Sequence, residues 1–293
     1  MKAIILIALV AFACSNRAVN KKFVEKLKKI APFKVYDVDR NPYKDWTTEE
    51  IRNSLGLKVP HYPIHRKLPP SKYEGDSYDF REAWPECVLG VRDRGSCGAD
   101  LHFSGAMALQ QRFCQQSQNE TKPILSPQDA ISCDLGDMGC GGGWIDRLWE
   151  YLANSGLVDE DCFPYTSQGG EVEDCITKCK NEAPWKKYKV RDVEKHFLPD
   201  DIKSELEVNG PMESGFEVYT DFLNYEGGIY QHTEGVLEGG LAVVLIGYGK
   251  EGDINYWICQ NSAGDKWGEE GYFRIKFGEC GIDIDVYGGR AIL

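Results

Sequence analysis

Residues 94–109 read Arg94-Gly95-Ser96-Cys97-Gly98-Ala99-Asp100-Leu101-His102-Phe103-Ser104-Gly105-Ala106-Met107-Ala108-Leu109, and the fold turns on this stretch. A turn of Gly, Ser and Cys feeds a run of small residues and Leu. Such a run offers no broad polar face, so as a helix it must be buried. Further on, Trp144, Ile145, Leu148, Trp149 and Leu152 recur at helical spacing and predict a second core helix, with no cofactor implied.

Outward from that centre, the 293-residue chain divides by charge. Residues 1–75 carry 15 Lys and Arg against 7 Asp and Glu, a net of +8, whereas residues 76–293 carry 19 against 39, a net of -20. An acidic body of that strength argues against a nucleic-acid partner, because phosphate binding needs basic patches. The longest apolar run, Ala3–Cys14, is shorter than the roughly 20 residues of a membrane span. With Lys2 before it and Ala11-Phe12-Ala13 at its end, it has the layout of a signal peptide over residues 1–18, cleaved after Ala13 or Ala18. Residues 19–75 then carry two short helical patterns, one with Phe23, Leu27 and Ile30. The other opens at Thr47-Thr48-Glu49-Glu50 with an apolar face of Ile51, Leu55 and Leu57. Two such helices cannot enclose a core, so they need the oppositely charged body to lean on. A pro-segment and an ordinary N-terminal subdomain both fit. Ten of the eleven Cys fall between Cys87 and Cys280, which in an exported chain reads as a disulfide framework. C-x2-C pairs of the kind a zinc site wants are missing, so no metal is expected. Asn119-Glu120-Thr121 is a glycosylation sequon.

The 94–109 stretch resembles the active-site helix of papain-like cysteine peptidases, whose pattern is Q-G-S-C-G-S-C-W-A-F. Further matches follow in order: Cys140-Gly141-Gly142-Gly143, Gly210-Pro211, Gly239-Gly240-Leu241-Ala242, Gly247-Tyr248-Gly249, Tyr256-Trp257 with Asn261-Ser262, Trp267-Gly268 and Cys280-Gly281-Ile282. With Tyr78–Pro85 and the short N-terminal segment, the resemblance points to the cathepsin B branch. It implies an α+β fold of two lobes over residues 76–293. A helical half (about 85–185) and a β-barrel-like half (about 186–293) would flank a cleft, preceded by a short helical pro-segment.

The chemistry of that family needs a Cys thiolate at a helix N-terminus, a His to protonate the leaving amine, an Asn to orient it and a Gln at the oxyanion. Matched residue by residue, the nucleophile position is Asp100, the His position Leu241, the oxyanion Gln position Arg94 and the Trp after Asn261-Ser262 is Ala263. Only Asn261 is kept. Cys97 matches a disulfide-bonded Cys, and His232 matches a His that is not catalytic. Two readings of the substitutions stand: an Arg94–Asp100 ion pair plugging the oxyanion hole, with Leu241 adding apolar bulk, or unconnected drift. The resemblance also implies Cys87–Cys114, Cys97–Cys140, Cys133–Cys175 and Cys162–Cys179, leaving Cys259 and Cys280 undecided. Gly142 and Gly143 match backbone that pairs with substrate. Asp285 matches the acid at the base of the main specificity pocket, where it would attract Lys or Arg; a solvated acid is the other reading.

The function expected is a catalytically inactive cathepsin B-like protein, secreted or endolysosomal. It would be a monomer without cofactor, binding a peptide, a cysteine-peptidase inhibitor or another protein in its cleft. The alternatives are an active cysteine-type endopeptidase, as family membership alone would imply, and a structural acidic matrix or granule protein.

Overall fold

The structure is a computed structural model, and it describes residues 17–60, 62, 68 and 77–293. The signal-peptide expectation falls mostly on residues 1–16, outside the described residues. Ala18 and Val19 are buried, and the Ala18 N–H donates to the Trp46 carbonyl at 2.9 Å. A cut after Ala13 leaves these contacts in place, whereas a cut after Ala18 removes Ala18 and its hydrogen bond to Trp46.

The N-terminal segment holds helix α1 (Lys21–Ile30), the short strand β1 (Lys34–Val35) and helix α2 (Thr48–Ser54). Asn20 caps α1 by accepting from the Lys22 and Phe23 amides, and Thr47 with Glu50 forms a complete capping box on α2. In α1 the buried residues are Val24 and Leu27, while Ile30 is 45% exposed, so the packed face is set one residue away from the expected Phe23–Leu27–Ile30 stripe. In α2 only Ile51 of the expected face is helical. Leu55 and Leu57 follow in extended chain.

In the body, β2 (Tyr78–Asp79) and helix α3 (Phe80–Ala83) lead to helix α4 (Asp100–Gln116), then α5 (Pro127–Cys133) and α6 (Ile145–Asn154). The other half contains β3 (Val190–His196), helix α7 (Pro199–Asn209), β4 (Met212–Tyr219), β5 (Tyr225–Gly227), β6 (Ile229–Tyr230), β7 (Leu237–Glu251), β8 (Ile254–Gln260), β9 (Tyr272–Lys276) and β10 (Asp285–Ala291). An eight-stranded sheet runs β3-β10-β4-β7-β8-β9-β6, with β2 added to β7, while β1 pairs with β5. The fold is α+β, as the resemblance implied.

The long strand β7 explains how the halves share a core. Side chains alternate across a strand. Leu241, Val243 and Leu245 enter one core with the aromatic cluster around Phe222, Tyr225, Trp267 and Phe273. Ala242, Val244 and Ile246 enter the other, against α4. Every residue of α4 from Asp100 to Gln115 is buried; the small and apolar run up to Leu109 requires it, and beyond it Gln111 is paired with Gln260 and Arg112 with Glu205. Gly105 makes the close packing of α6 possible, since a Cβ there would meet Leu148 Cδ2 at 2.5 Å. The bridges Cys87–Cys114, Cys97–Cys140, Cys133–Cys175 and Cys162–Cys179 are present, and Cys259 and Cys280 are buried free thiols. Each bridge typically contributes about 2–4 kcal/mol by limiting the unfolded chain.

The N-terminal segment docks on the β half by both apolar burial and charge. Val24, Leu27, Phe33, Ile51 and Leu55 join the core that contains Leu241. Lys26–Glu234 (2.7 Å), Arg40–Glu226 (2.8 Å) and Arg52–Glu238 (2.9 Å) are ion pairs from the basic segment to the acidic body.

Candidate functional site

The cleft runs between the Gly139–Gly143 loop, tied to the start of α4 by Cys97–Cys140, and the Gly239-Gly240 stretch of β7. Asp100 stands at its centre as the first residue of α4, where the helix dipole favours a negative charge. Its carboxylate is fully buried. Oδ1 accepts from the Gly56 amide at 2.6 Å and Oδ2 from the Ala242 amide at 2.7 Å. Burial pushes this carboxyl above its ordinary range, against the pull of Arg94 and of the two amides.

Arg94 and Asp100 do not form a direct ion pair, which corrects the expected plug. Arg94 Nε donates to the Ser54 carbonyl at 3.1 Å, and its NH1 donates to the Ser262 carbonyl at 3.0 Å and hydroxyl at 3.2 Å. Each charged group is satisfied by backbone from the N-terminal segment and by one further partner. The segment meets both, with the Ser54 carbonyl on Arg94 and the Gly56 amide on Asp100.

The segment then continues along the cleft. Gly143 N–H donates to Gly56 O at 3.2 Å, Lys58 N–H donates to Gly143 O at 2.7 Å, and Leu57 bridges Gly143 on one wall and Gly240 on the other. Gly142, with φ 82°, turns the wall in a conformation that favours glycine. Beyond, the Tyr62 amide donates to Glu217 Oε1 at 3.1 Å, and its ring lies against Gly281. The Tyr62 hydroxyl donates to Asp285, which is also ion-paired with Lys195. Asp285 is therefore neither a bare solvated acid nor an empty receptor: a phenol and an amine of the same chain already meet it.

Residues 75–289 match the family described as papain family cysteine protease. The chain belongs to that family. Among its relatives, cathepsin B-like CP3 of Giardia intestinalis is 36% identical over 97% of this chain and 98% of its own length. Cathepsin B-like cysteine proteinase 6 of Caenorhabditis elegans is 36% identical over 73% of this chain and 66% of its own. The solved structure of proCathepsin B S9 from Trypanosoma congolense superposes with a TM-score of 0.83 at 26% identity, covering 94% of this chain and all of its own.

At the positions that the papain pattern gives to catalysis, the geometry is as follows. Leu241 is 2% exposed and lines a small cavity together with Tyr43, Ile51, Leu55, Phe222 and Trp267. The Asn261 side-chain oxygen accepts from the Ser262 amide at 2.8 Å rather than from an imidazole. Ala263 bridges Asp93. Of the described cysteines, eight are disulfide-bonded. Burial pushes the Cys259 thiol well above its usual range. Cys280 is pushed the same way by burial and by Glu279, Asp221 and Glu217. Among the described residues no imidazole is hydrogen-bonded to a thiol. His232 instead faces Asp221 at 3.1 Å. Asn119, of the sequon, is exposed. No described helix is long and apolar enough to cross a membrane.

Beneath the cleft lie groups that sequence patterns did not single out. His102, fully buried, has neither ring nitrogen hydrogen-bonded, and Nε2 lies 3.8 Å from Asp137 Oδ2. Burial pushes His102 down to about 3 and Asp137 up to about 6. An unfolded His takes its proton near pH 6.5. The stability that the neutral imidazole supplies is thus complete above pH 6.5 and lost as the pH falls towards about 3. Asp137 runs the other way: its contribution is complete below the ordinary carboxyl range and lost as the pH rises through about 6. His102→Leu should therefore raise the melting temperature more at pH 5 than at pH 8, and Asp137→Asn more at pH 8 than at pH 5. Equal shifts at both pH values, read by differential scanning calorimetry, would show that neither group is perturbed by burial.

Proposed function

We propose that this chain is a catalytically inactive cathepsin B-like protein of the secretory or endolysosomal route. It acts by binding in its cleft, and residues 19–75 are a pro-segment that holds the cleft in the resting state. The observation that carries the reading is Asp100. A carboxylate, accepting two backbone amides, sits at the helix N-terminus where papain-type chemistry needs a thiolate. A carboxylate is a weak nucleophile towards an amide, and Leu241 offers no proton to a leaving amine. The two free described thiols are buried and held protonated, so neither replaces the missing nucleophile. Loss of the nucleophile or base from such a unit costs on the order of 10⁶ in turnover.

The cleft keeps what binding requires. Gly143 offers an amide and a carbonyl to an extended chain, Glu217 accepts a backbone amide of that chain, and Asp285 accepts a side-chain hydroxyl. The partner is a peptide or protein segment that enters once another protease has cut the pro-segment. Digestion of a peptide library at pH 5–6 under mild reduction, read by mass spectrometry, tests this. The purified protein, cut between residues 62 and 77, should leave the library intact. Cleavage that a thiol-directed inhibitor abolishes would restore the reading of an active endopeptidase.

A further inference from the structure

The substituted centre of the cleft is more than an emptied active site. We infer that Arg94 and Asp100 form a backbone receptor selective for an extended peptide of the form apolar-Gly-apolar, with residues 54–58 of this chain as its resident ligand. The inference rests on the proposed binding role and names the ligand class.

Three glycines interlock where the segment crosses α4. A Cβ on Gly56 would collide with the Gly98 carbonyl and lie 2.7 Å from Asp100 Oδ1. A Cβ on Gly98 would lie 2.7 Å from the carbonyl oxygens of both Asn53 and Cys140, and one on Gly142 would collide with Gly56 O. The obstructing atoms are mostly backbone, held by the Gly98–Cys140 hydrogen bond of 3.1 Å and the Cys97–Cys140 disulfide. They cannot swing aside as a flexible side chain would. The ligand residue over Asp100 is therefore restricted to glycine by shape.

Its chemistry is fixed as well. Asp100 Oδ1 needs a donor at this point, because a fully buried carboxylate oxygen left unpaired is costly. The donor is the amide N–H of the ligand glycine, so proline or an N-methylated residue is excluded. Two residues earlier, Arg94 Nε donates to the ligand carbonyl of Ser54. Substrate in a cleaving site would present a carbonyl carbon to the residue at position 100; here the ligand presents an N–H, and binds as an uncut strand. On either side, the Leu55 side chain lies against Gly239 and the Leu57 side chain against Gly215, and both leucines are buried. These small residues on the cleft walls make room for apolar side chains flanking the glycine.

The test uses the full chain with a specific protease site placed between residues 68 and 76, so that the segment can leave after cutting. A labelled synthetic peptide of residues 48–62 should exchange into the cut protein, followed by fluorescence anisotropy. Replacing its glycine by alanine or by N-methylglycine should weaken binding at least fiftyfold. Asp100→Asn in the protein should shrink the penalty of N-methylation severalfold, because an amide side chain no longer demands that donor. Alanine or N-methylglycine peptides binding within threefold of the parent would overturn the inference. If the resident segment does not exchange, release rates are compared after cutting the parent and a Gly56→Ala chain. At least fiftyfold faster release from the variant is expected, and equal rates would overturn the inference. Mass spectrometry of the recovered peptides separates the two claims. Cleaved peptide defeats the inactive reading, whereas intact peptide bound without preference for glycine defeats only this one.

Discussion

Restoring four side chains should turn the protein into a peptidase. Arg94→Gln, Asp100→Cys, Leu241→His and Ala263→Trp place a thiol at the N-terminus of α4, an imidazole on β7, an oxyanion donor across from it and an indole over Asn261. The scaffold for this is in place. Residue 100 already lies beside β7, where the Ala242 amide donates to it, and Asn261 lines the same small cavity as Leu241. Given the cost of losing such a unit, on the order of 10⁶, the variant should exceed the parent by at least about a thousandfold in kcat/KM on peptide substrates. Activity should appear only after the N-terminal segment is cut, since Gly56 lies over residue 100 and Leu57 bridges both walls. A folded, cut variant that stays silent would mean that the cleft geometry itself, and not only its side chains, has departed from catalysis.

The second large effect lies under the site. Glu213, fully buried on β4, accepts from Ser104 Oγ and from Trp149 Nε1, each at 2.7 Å. Burial, reinforced by the charges of Asp100 and Asp137, pushes its carboxyl well above the ordinary range, so it is held protonated. Glu213→Ala leaves the Trp149 indole N–H without an acceptor, while the Ser104 hydroxyl keeps the Asp100 and Leu101 carbonyls, and it opens a void between α4 and α6. The stranded donor and the cavity together should cost about 3 kcal/mol or more, a fall in melting temperature of roughly 6–12 °C for a chain of this size. Glu213→Gln keeps an acceptor of the same shape and should be nearly neutral at pH 5. A raised carboxyl loses its contribution as the pH rises, so the Gln variant should gain over the parent at pH 8. Calorimetry of both variants at the two pH values checks the sign. A Gln variant whose stability relative to the parent falls between pH 5 and pH 8 would contradict a raised Glu213 carboxyl.

Residues 94–109 and the ordered glycine and tryptophan matches made the fold legible through the family resemblance they carry; the buried helix alone fits many architectures. The same matches led Arg94, Asp100, Leu241 and Asn261 to be expected about one cleft. What each of these side chains touches was not legible. Opposite charges six residues apart suggested an ion pair, yet Arg94 and Asp100 each bind backbone of a segment some forty residues away. Local sequence carries no trace of such long-range hydrogen bonds. Gly56 gave one usable signal, a glycine between two leucines just after a capped helix, which marks close backbone approach in extended chain. The Lys195–Asp285 pair and the buried His102, Glu213 and Glu217 gave none. Their perturbation comes from tertiary burial, and hydrophobic periodicity is blind to it. The basic front and acidic body did foretell docking, since the ion pairs at Glu226, Glu234 and Glu238 join the two.

The central claim is that this chain carries no reactive thiolate in its cleft. The most direct measurement is the intact mass of the purified protein, with its segment cut, after incubation at pH 6 with a peptidyl epoxide that alkylates active-site thiolates. The account predicts an unchanged mass, while the Asp100→Cys, Leu241→His, Arg94→Gln, Ala263→Trp variant gains one adduct at residue 100. A stoichiometric adduct on the parent, at any of its cysteines, would contradict it.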